Sequence, residues 1–190
     1  MRAAETEIRK ASLRDLPALL ELINSYAEQQ IMLPRTEFEL AENIRDFVVA
    51  RRGGELAACG ALHFYSPASG EIRSLAVLPA LKGNGLGRRV VEALEREARE
   101  NGLASLFAFT YVPDFFRKLG FEEVDRGELP LKAWKDCLRC PKFQACDEIA
   151  MLKYLAGESG ISRIQVRGRQ TIDAELIQLP RIKTPKPALR

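Results

Sequence analysis

Residues 78–91 read LPALKGNGLGRRVV, with glycines at 83, 85 and 87, and the elements on either side of this stretch decide the fold. Before it, EIRSLAV (71–77) is a β-like run; after it, Leu86, Val90, Leu94 and Ala98 repeat at helical spacing until Asn101-Gly102 ends the pattern. SLFAFT (105–110) then follows, almost wholly apolar, as a strand buried on both faces requires. Strand, helix and strand in this order form a right-handed crossover, so the two strands are predicted to be parallel neighbours in a mixed α/β sheet. The glycine loop then stands at the carboxyl end of a strand and the amino end of a helix, where unpaired N–H groups and the helix dipole favour an anion. Gly83, Gly85 and Gly87 carry no Cβ, and Lys82, Arg88 and Arg89 surround them with positive charge. A phosphate or pyrophosphate suits this loop; a glycine-rich turn with no ligand is the alternative.

Outward from the loop, the elements alternate. EIRKAS (7–12) is a short β-like run, and Ser12 with Asp15 resembles a capping box ahead of Leu16, Leu19, Leu20 and Ile23 at helical spacing. Thr36 with Glu39 is a second box, and Leu40, Ala41, Ile44 and Phe47 give the apolar face of a second predicted helix. FVVAR (47–51) and ELAACGALHFY (55–65) flank Gly53-Gly54, a dipeptide suited to a tight hairpin. Ser66 to Gly70 reads as a turn, PDFFRKLGF (113–121) as a short helix stopped by Gly120, and DEIAMLKYL (147–155) as a closing strand.

Composition narrows the class. The 190 residues suit one domain with an appendage, 46% of them apolar, enough for a sizeable core. No apolar run approaches the roughly 18 residues of a membrane helix, and the start MRAAETEIRK lacks a signal-peptide block, so a cytoplasmic protein with no membrane partner is expected. Against 26 acidic residues stand 29 basic ones, scattered rather than gathered into a stripe, which disfavours nucleic acid. Four cysteines in a reducing compartment argue against a disulfide framework.

Two familiar phosphate loops fail on this sequence. A dinucleotide GxGxxG would need glycine at 88 or at 90, where Arg88 and Val90 stand, and no GKS or GKT is present. AVLPALKGNGLGRRVVEALEREARENGLASL (76–106) resembles instead the acetyl-coenzyme A binding motif of the GNAT N-acetyltransferase superfamily. DFFRKLGFEEV (114–124) lies where that family places its second segment. The resemblance implies a GNAT fold, a mixed sheet flanked by helices with a splayed parallel strand pair that binds acetyl-CoA as co-substrate. It further implies that the amides from Lys82 through Gly83, Asn84, Gly85, Leu86 and Gly87 to Arg88 hold the pyrophosphate. Leu75, Ala76 and Val77 would meet the pantetheine arm, and Phe116 would face the cofactor.

From about residue 8 to 155, QQIMLPRTEFELAENIRDF (29–47), AACGALHFY (57–65), GEIRSLAV (70–77), FAFTYVPDFFRKLGF (107–121) and LPLKAWKDC (129–137) resemble the acetyltransferase domain of bacterial N-acetylglutamate synthases. That likeness implies acetyl transfer from acetyl-CoA to the α-amino group of L-glutamate, a step of arginine biosynthesis. Another amine acceptor, or a non-catalytic acyl-CoA sensor, are the alternatives. A homodimer is compatible with either.

The reaction must deprotonate an ammonium, bring the amine to a thioester carbonyl and stabilise an oxyanion. Glu71 is the expected base, directly or through water. Alternation puts Glu71, Arg73, Leu75 and Val77 on one face, so Arg73 is expected to pair with Glu71 or bind a substrate carboxylate. An N–H near Ala76 or Val77 would donate to the oxyanion. Many family members carry a tyrosine in the second segment as general acid, whereas Phe115 and Phe116 occupy it here; Tyr111 or solvent is the expected substitute. Arg35, which matches an arginine of the synthase motif, is expected on the α-carboxylate, with Arg73 or Lys132 on the other. A solvated loop arginine is the bland alternative.

His63, the only histidine, either lines the pocket or packs, and packing is the favoured expectation because no partner is visible in the sequence. Cys137, Cys140 and Cys146 form CxxCxxxxxC, one ligand short of a zinc site unless Asp147 or Cys59 completes it; an iron–sulfur cluster is the other metal reading. Buried or redox-sensitive thiols are preferred, and no metal is expected. The acetyltransferase domain is expected to end at Leu155, and residues 156–190 form a basic tail with Gly157, Gly160, Gly168, Pro180, Pro185 and Pro187. RIQVRG (163–168) and AELIQL (174–179) are expected either as short strands or as segments that pack on a neighbouring subunit.

Overall fold

Gly53 and Gly54 both take positive φ, 61° and 86°, and turn β2 (Phe47–Arg52) back into β3 (Glu55–Ser66) as an antiparallel hairpin. In this computed structural model, which describes residues 5–129, 138, 140–142 and 145–155, the hairpin belongs to one seven-stranded sheet. Its other strands are β1 (Thr6–Lys10), β4 (Ser69–Val77), β5 (Ser105–Thr110), β6 (Glu122–Glu123) and β7 (Ile149–Tyr154), ordered 1-2-3-4-5-7-6. The helices are α1 (Leu16–Ala27), α2 (Glu37–Glu42), α3 (Leu86–Glu100) and α4 (Pro113–Arg117). None of the helices among the described residues is long and apolar enough to cross a membrane.

The crossover is as the sequence predicts: β4 and β5 are parallel neighbours joined through α3. Their pairing lasts for three positions only, Ser69 with Ser105, Gly70 with Leu106 and Glu71 with Phe107. Beyond Glu71 the strands part, β4 remaining paired with β3 and β5 with β7.

Each sheet face carries its own apolar layer. On one, Leu86, Val90, Val91, Leu94 and Ala98 of α3 join Leu62, Ile72, Leu106, Met151, Phe116 and Phe121. On the other, Leu16, Leu19, Leu22, Ile23 and Tyr26 of α1 join Leu40, Ile44, Phe47, Cys59, Ala61 and Ala76. Full burial of one such large side chain is worth about 1.5–3 kcal/mol, so the two layers hold the helices against the sheet.

Three expectations need correction. The second helix stops at Glu42; Ile44–Asp46 is a single 3₁₀ turn and Phe47 begins β2, although Ile44 and Phe47 still pack with Leu40 as a helix face would. Asn43 leaves helical geometry at φ −104°, ψ 15°, and the run FVVA is better served by a buried strand. Gly70 is not in a turn: it lies in β4, where a Cβ would meet Leu103 Cδ1 at 2.8 Å and Leu62 Cδ1 at 2.9 Å, so only glycine lets these leucines close over the strand. Third, Glu71, Arg73, Leu75 and Val77 do not share one face. Between the pairs Ala61–Arg73 and Cys59–Ala76, β4 holds one residue more than β3, a bulge at Ser74 with φ 51°. Glu71, Arg73 and Ala76 therefore face α1, whereas Leu75 and Val77 pack in the α3 layer. The two-residue strand β6, beside β7, was not signalled by any periodicity.

The capping box of Ser12 and Asp15 forms as expected and holds more than a helix start. The Asp15 carboxylate, 1% exposed, accepts from Arg9 Nη1 and Nη2 at 2.8 Å each, from Arg51 Nη1 at 2.7 Å and from the Ser12 N–H at 2.9 Å. Arg9 and Ser12 hold its carboxyl well below the usual carboxylate range. Asp15→Ala removes the acceptor shared by two strands and is expected to cost about 1.5–3 kcal/mol in urea unfolding. Because the folded pKa is depressed, the contribution is complete above the unfolded value of about 3.9 and is lost as pH falls below it. The gap between wild type and variant should therefore narrow below about pH 4.

Candidate functional site

The parting of β4 and β5 opens a cavity of about 1050 Å³. Ile72, Ser74, Leu75 and Val77 line one wall, and Phe109 and Thr110 line the other. Lys82, Gly83, Gly85, Leu86, Gly87 and Arg88 close one end of it, and the segment from Gln30 to Arg35 borders it as well. Such a volume exceeds the roughly 300–1,000 Å³ of ordinary small-molecule pockets, as a long ligand with a second small molecule would require.

The loop has the open backbone that an anion seat requires. Gly83 and Gly85 adopt φ of 81° and 75°, and a Cβ at either would meet nothing within 4 Å. Gly85 is the N-cap of α3 and offers no side chain, so nothing of its own occupies the amides of the first turn. The first intrahelical bond runs from the Arg89 N–H to the Gly85 carbonyl at 3.1 Å. Gly87 serves otherwise: it lies within the helix, and a Cβ would stand 3.4 Å from Phe115 Cζ. Lys82 Nζ sits 4.8 Å from the centre of the Tyr26 ring, and the Tyr26 hydroxyl donates to the Val77 carbonyl at 2.6 Å. One residue of α1 thus ties the end of β4 to the loop.

Arg35, Glu71, Arg73 and Tyr111 all line this cavity, as do Leu75, Val77 and Phe116 of the expected cofactor set. Two expected residues do not. Ala76, 2% exposed, points into the α1 layer because of the bulge, and the Asn84 side chain donates instead to the Leu81 carbonyl at 3.2 Å. Lys132 and Cys137 lie outside the described residues, as does the tail from residue 156.

Arg35 is positioned by its backbone. Asn24 of α1 accepts from the Arg35 N–H and donates to the Arg35 carbonyl, both at 2.9 Å. Glu71 is buried, 8% exposed. Arg73 has Asp46 as one partner, Nη2 to Oδ2 at 3.7 Å. The same Asp46 Oδ2 lies 2.7 Å from His63 Nδ1, which corrects the expectation of a histidine without a partner. Tyr111 donates to Asp147 at 2.9 Å and accepts from Lys142 Nζ at 3.1 Å; burial pushes its pKa up, so it keeps its proton at neutral pH.

Sequence reading missed the charged cavity residues Lys118, Arg126, Lys142 and Glu148. Burial raises the Glu148 carboxyl, and Arg126, whose Nη2 donates to the carbonyls of Cys146 and Glu148, opposes that shift. The Asp125–Glu128 capping box was a readable signal for the turn that carries Arg126. Cys140 and Cys146 are half-buried on the cavity wall, and no group of three metal-ligating side chains occurs among the described residues. Cys59 is far from such a role: it is fully buried, directs its thiol at the Ser74 carbonyl, and is pushed up to about 12 by burial.

Residues 13–121 match the model of the acetyltransferase (GNAT) family. An uncharacterised N-acetyltransferase of Chlorobaculum tepidum is 43% identical over 155 residues, 82% of this chain and 100% of that protein. An amino-acid acetyltransferase of Mycobacterium tuberculosis is 36% identical over 135 residues, covering 70% of this chain and 77% of that one. Among solved structures, N-acetylglutamate synthase from Neisseria gonorrhoeae, complexed with coenzyme A and N-acetyl-glutamate, aligns with a TM-score of 0.73 at 30% identity. That alignment covers 82% of this chain but 36% of the synthase, so the chain spans about a third of its length. A matched segment of more than half the chain, and the parted strand pair and glycine-capped helix inside it, lead to one identification. The chain belongs to the acetyltransferase (GNAT) family and is an N-acetyltransferase whose acetyl donor is acetyl-CoA.

Proposed function

We propose that this acetyltransferase acetylates the α-amino group of L-glutamate. The observation that carries the reading is one cavity in which a buried carboxylate, Glu71, stands with Arg35 and Arg73, cations suited to an acceptor with two carboxylates. The amino-acid acetyltransferase from M. tuberculosis and the synthase from N. gonorrhoeae support the same choice. Because the chain spans only part of that synthase, regulation and a place in arginine biosynthesis belong to the proposal too.

The residues divide the work. The free amides at the start of α3, with Lys82 and Arg88, hold the coenzyme pyrophosphate, and Leu75 and Val77 flank the arm that reaches into the open strand pair. The coenzyme supplies an activated acetyl group as a thioester. Glu71 takes the amine proton, and Arg35 grips the α-carboxylate from a loop that Asn24 fixes to α1. Arg73 holds the second carboxylate. Tyr111 retains its proton at neutral pH and is the protein group in the cavity proposed to give one to the departing thiolate, regaining it from the nitrogen of the tetrahedral intermediate as the amide forms.

Three measurements test this. Gly85→Val and Gly54→Val both force a β-branched residue into positive φ, with nothing within 4 Å of the added Cβ, and each should cost about 1–2 kcal/mol of stability. Only the Gly85 variant should lose affinity in calorimetric titration with coenzyme A, since Gly54 does not border the cavity. Equal affinities for both would remove the loop from coenzyme binding. Glu71→Gln should lower turnover about 10²-fold at neutral pH, the loss shrinking as pH rises and free amine accumulates. A loss equal at every pH would make Glu71 a positioning group.

The acceptor is tested by steady-state kinetics with glutamate, glutamine, aspartate and glutamate α-amide on wild type and Arg35→Lys. The lysine keeps the charge but not the fork, so the Michaelis constant for glutamate should rise about tenfold to a hundredfold while that for acetyl-CoA stays put. Wild type that acetylates the α-amide as fast as glutamate would sink the glutamate reading.

A further inference from the structure

Acetylation of an ammonium releases one proton for each amide formed, so a base in the position of Glu71 must be emptied at every turnover. Glu71 is 8% exposed, which leaves it little direct contact with water. We propose that His63, held by Asp46, carries the proton from the Glu71 carboxyl to solvent. The inference rests on the reading of Glu71 as the base and adds the route by which that base is reset.

His63 and Glu71 are directly opposite each other across the antiparallel pair of β3 and β4. Side chains so placed leave the same face of the sheet with Cβ atoms about 4.5–5.5 Å apart. His63 Nδ1 lies 2.7 Å from Asp46 Oδ2. With its hydrogen on Nδ1, given to Asp46, the ring keeps Nε2 as an acceptor, and the carboxylate stabilises the imidazolium that forms when Nε2 is protonated. The side chains of His63 and Asp46 are 27% and 26% exposed, so the pair stands across the strand from Glu71 and borders water.

The other groups around the ring fit this role. Arg73 Nη2 is 3.7 Å from Asp46 Oδ2, and the Tyr65 ring meets His63 at right angles with centroids 5.0 Å apart, which fixes its plane. Arg45, beside Asp46 in the 3₁₀ turn, is exposed. The step balances: the amine proton converts Glu71 to a neutral acid, passes to His63 Nε2 and leaves to water, restoring the Glu71 carboxylate and a neutral imidazole. No electrons move. His63 acts through Glu71 and is a positioning and relay residue, not a catalytic one.

His63→Gln keeps a hydrogen-bonding group for Asp46 but no titrating ring. Coenzyme A thiol release is measured at pH 7 in dilute buffer, with the fastest acceptor of the panel above. The variant should lose about tenfold or more in kcat, within the range of acid–base effects, with both Michaelis constants within twofold of wild type. N-methylmorpholine, a tertiary amine that cannot itself be acetylated to an amide, should restore the rate as its concentration rises. An unchanged kcat, or a loss that the amine does not repair, overturns the relay. Asp46→Asn keeps the imidazole and removes the anion, so the acidic limb of the kcat profile should move to lower pH, and it should move in His63→Gln too, where only Glu71 and the acceptor amine remain to titrate. A limb that moves in neither variant also overturns it, and this readout serves where one variant fails to fold. Glu71→Gln at the wild-type rate would instead remove the base itself; an impaired Glu71→Gln beside a normal His63→Gln removes the relay alone.

Discussion

Everything chemical in this molecule depends on two strands that stop pairing. β4 and β5 are held together over Ser69–Glu71 and Ser105–Phe107, and the crossover through α3 forces them to start side by side. Past that point β4 follows β3, and β5 follows β7, because each still has a complete partner on its outer edge. The exposed inner edges then face a cavity rather than each other. Backbone polar groups left without a ladder need partners, and an extended ligand arm laid between the strands is a natural one.

The bulge at Ser74 decides which side chains look where. One extra residue on β4 lets Glu71 and Arg73 face α1 while Leu75 and Val77 face α3, so charged and apolar walls of the cavity come from the same strand. Helix α1 then ties the charged wall together from outside. Tyr26 takes the Val77 carbonyl and supports Lys82, and Asn24 takes both backbone groups of Arg35. These contacts are worth about a kilocalorie or two each, yet their value lies in geometry, since a bidentate cation works only where its approach is fixed.

Much of the fold was legible. The glycine loop, the apolar strand SLFAFT and the period of Leu86, Val90, Leu94 and Ala98 are local signals, each with a local physical cause, and the structure keeps all three. The misreadings share one origin. Spacing alone puts Phe47 in a helix, residue type puts Gly70 in a turn, and alternation puts Val77 on the face of Glu71. In each case packing across the sheet overrode a rule that looks only along the chain.

What the sequence by itself determined is the strand–glycine loop–helix–strand unit and the chemistry it can hold, because positive φ, free amides and basic flanks are properties of a short contiguous stretch. It also supplies Glu71, Arg73 and Arg35, a carboxylate and two cations that the fold brings to one cavity. Only the tertiary structure decided that Asp46 meets both His63 and Arg73, that Asn24 pins Arg35, and that Arg126, Lys142 and Glu148 border the same cavity. The physical reason is sequence distance: Asp46 and His63 stand 17 residues apart, and Tyr26 and Val77 stand 51 apart. Contacts of that span are made by the order of the strands and the bulge in β4, which no local period encodes.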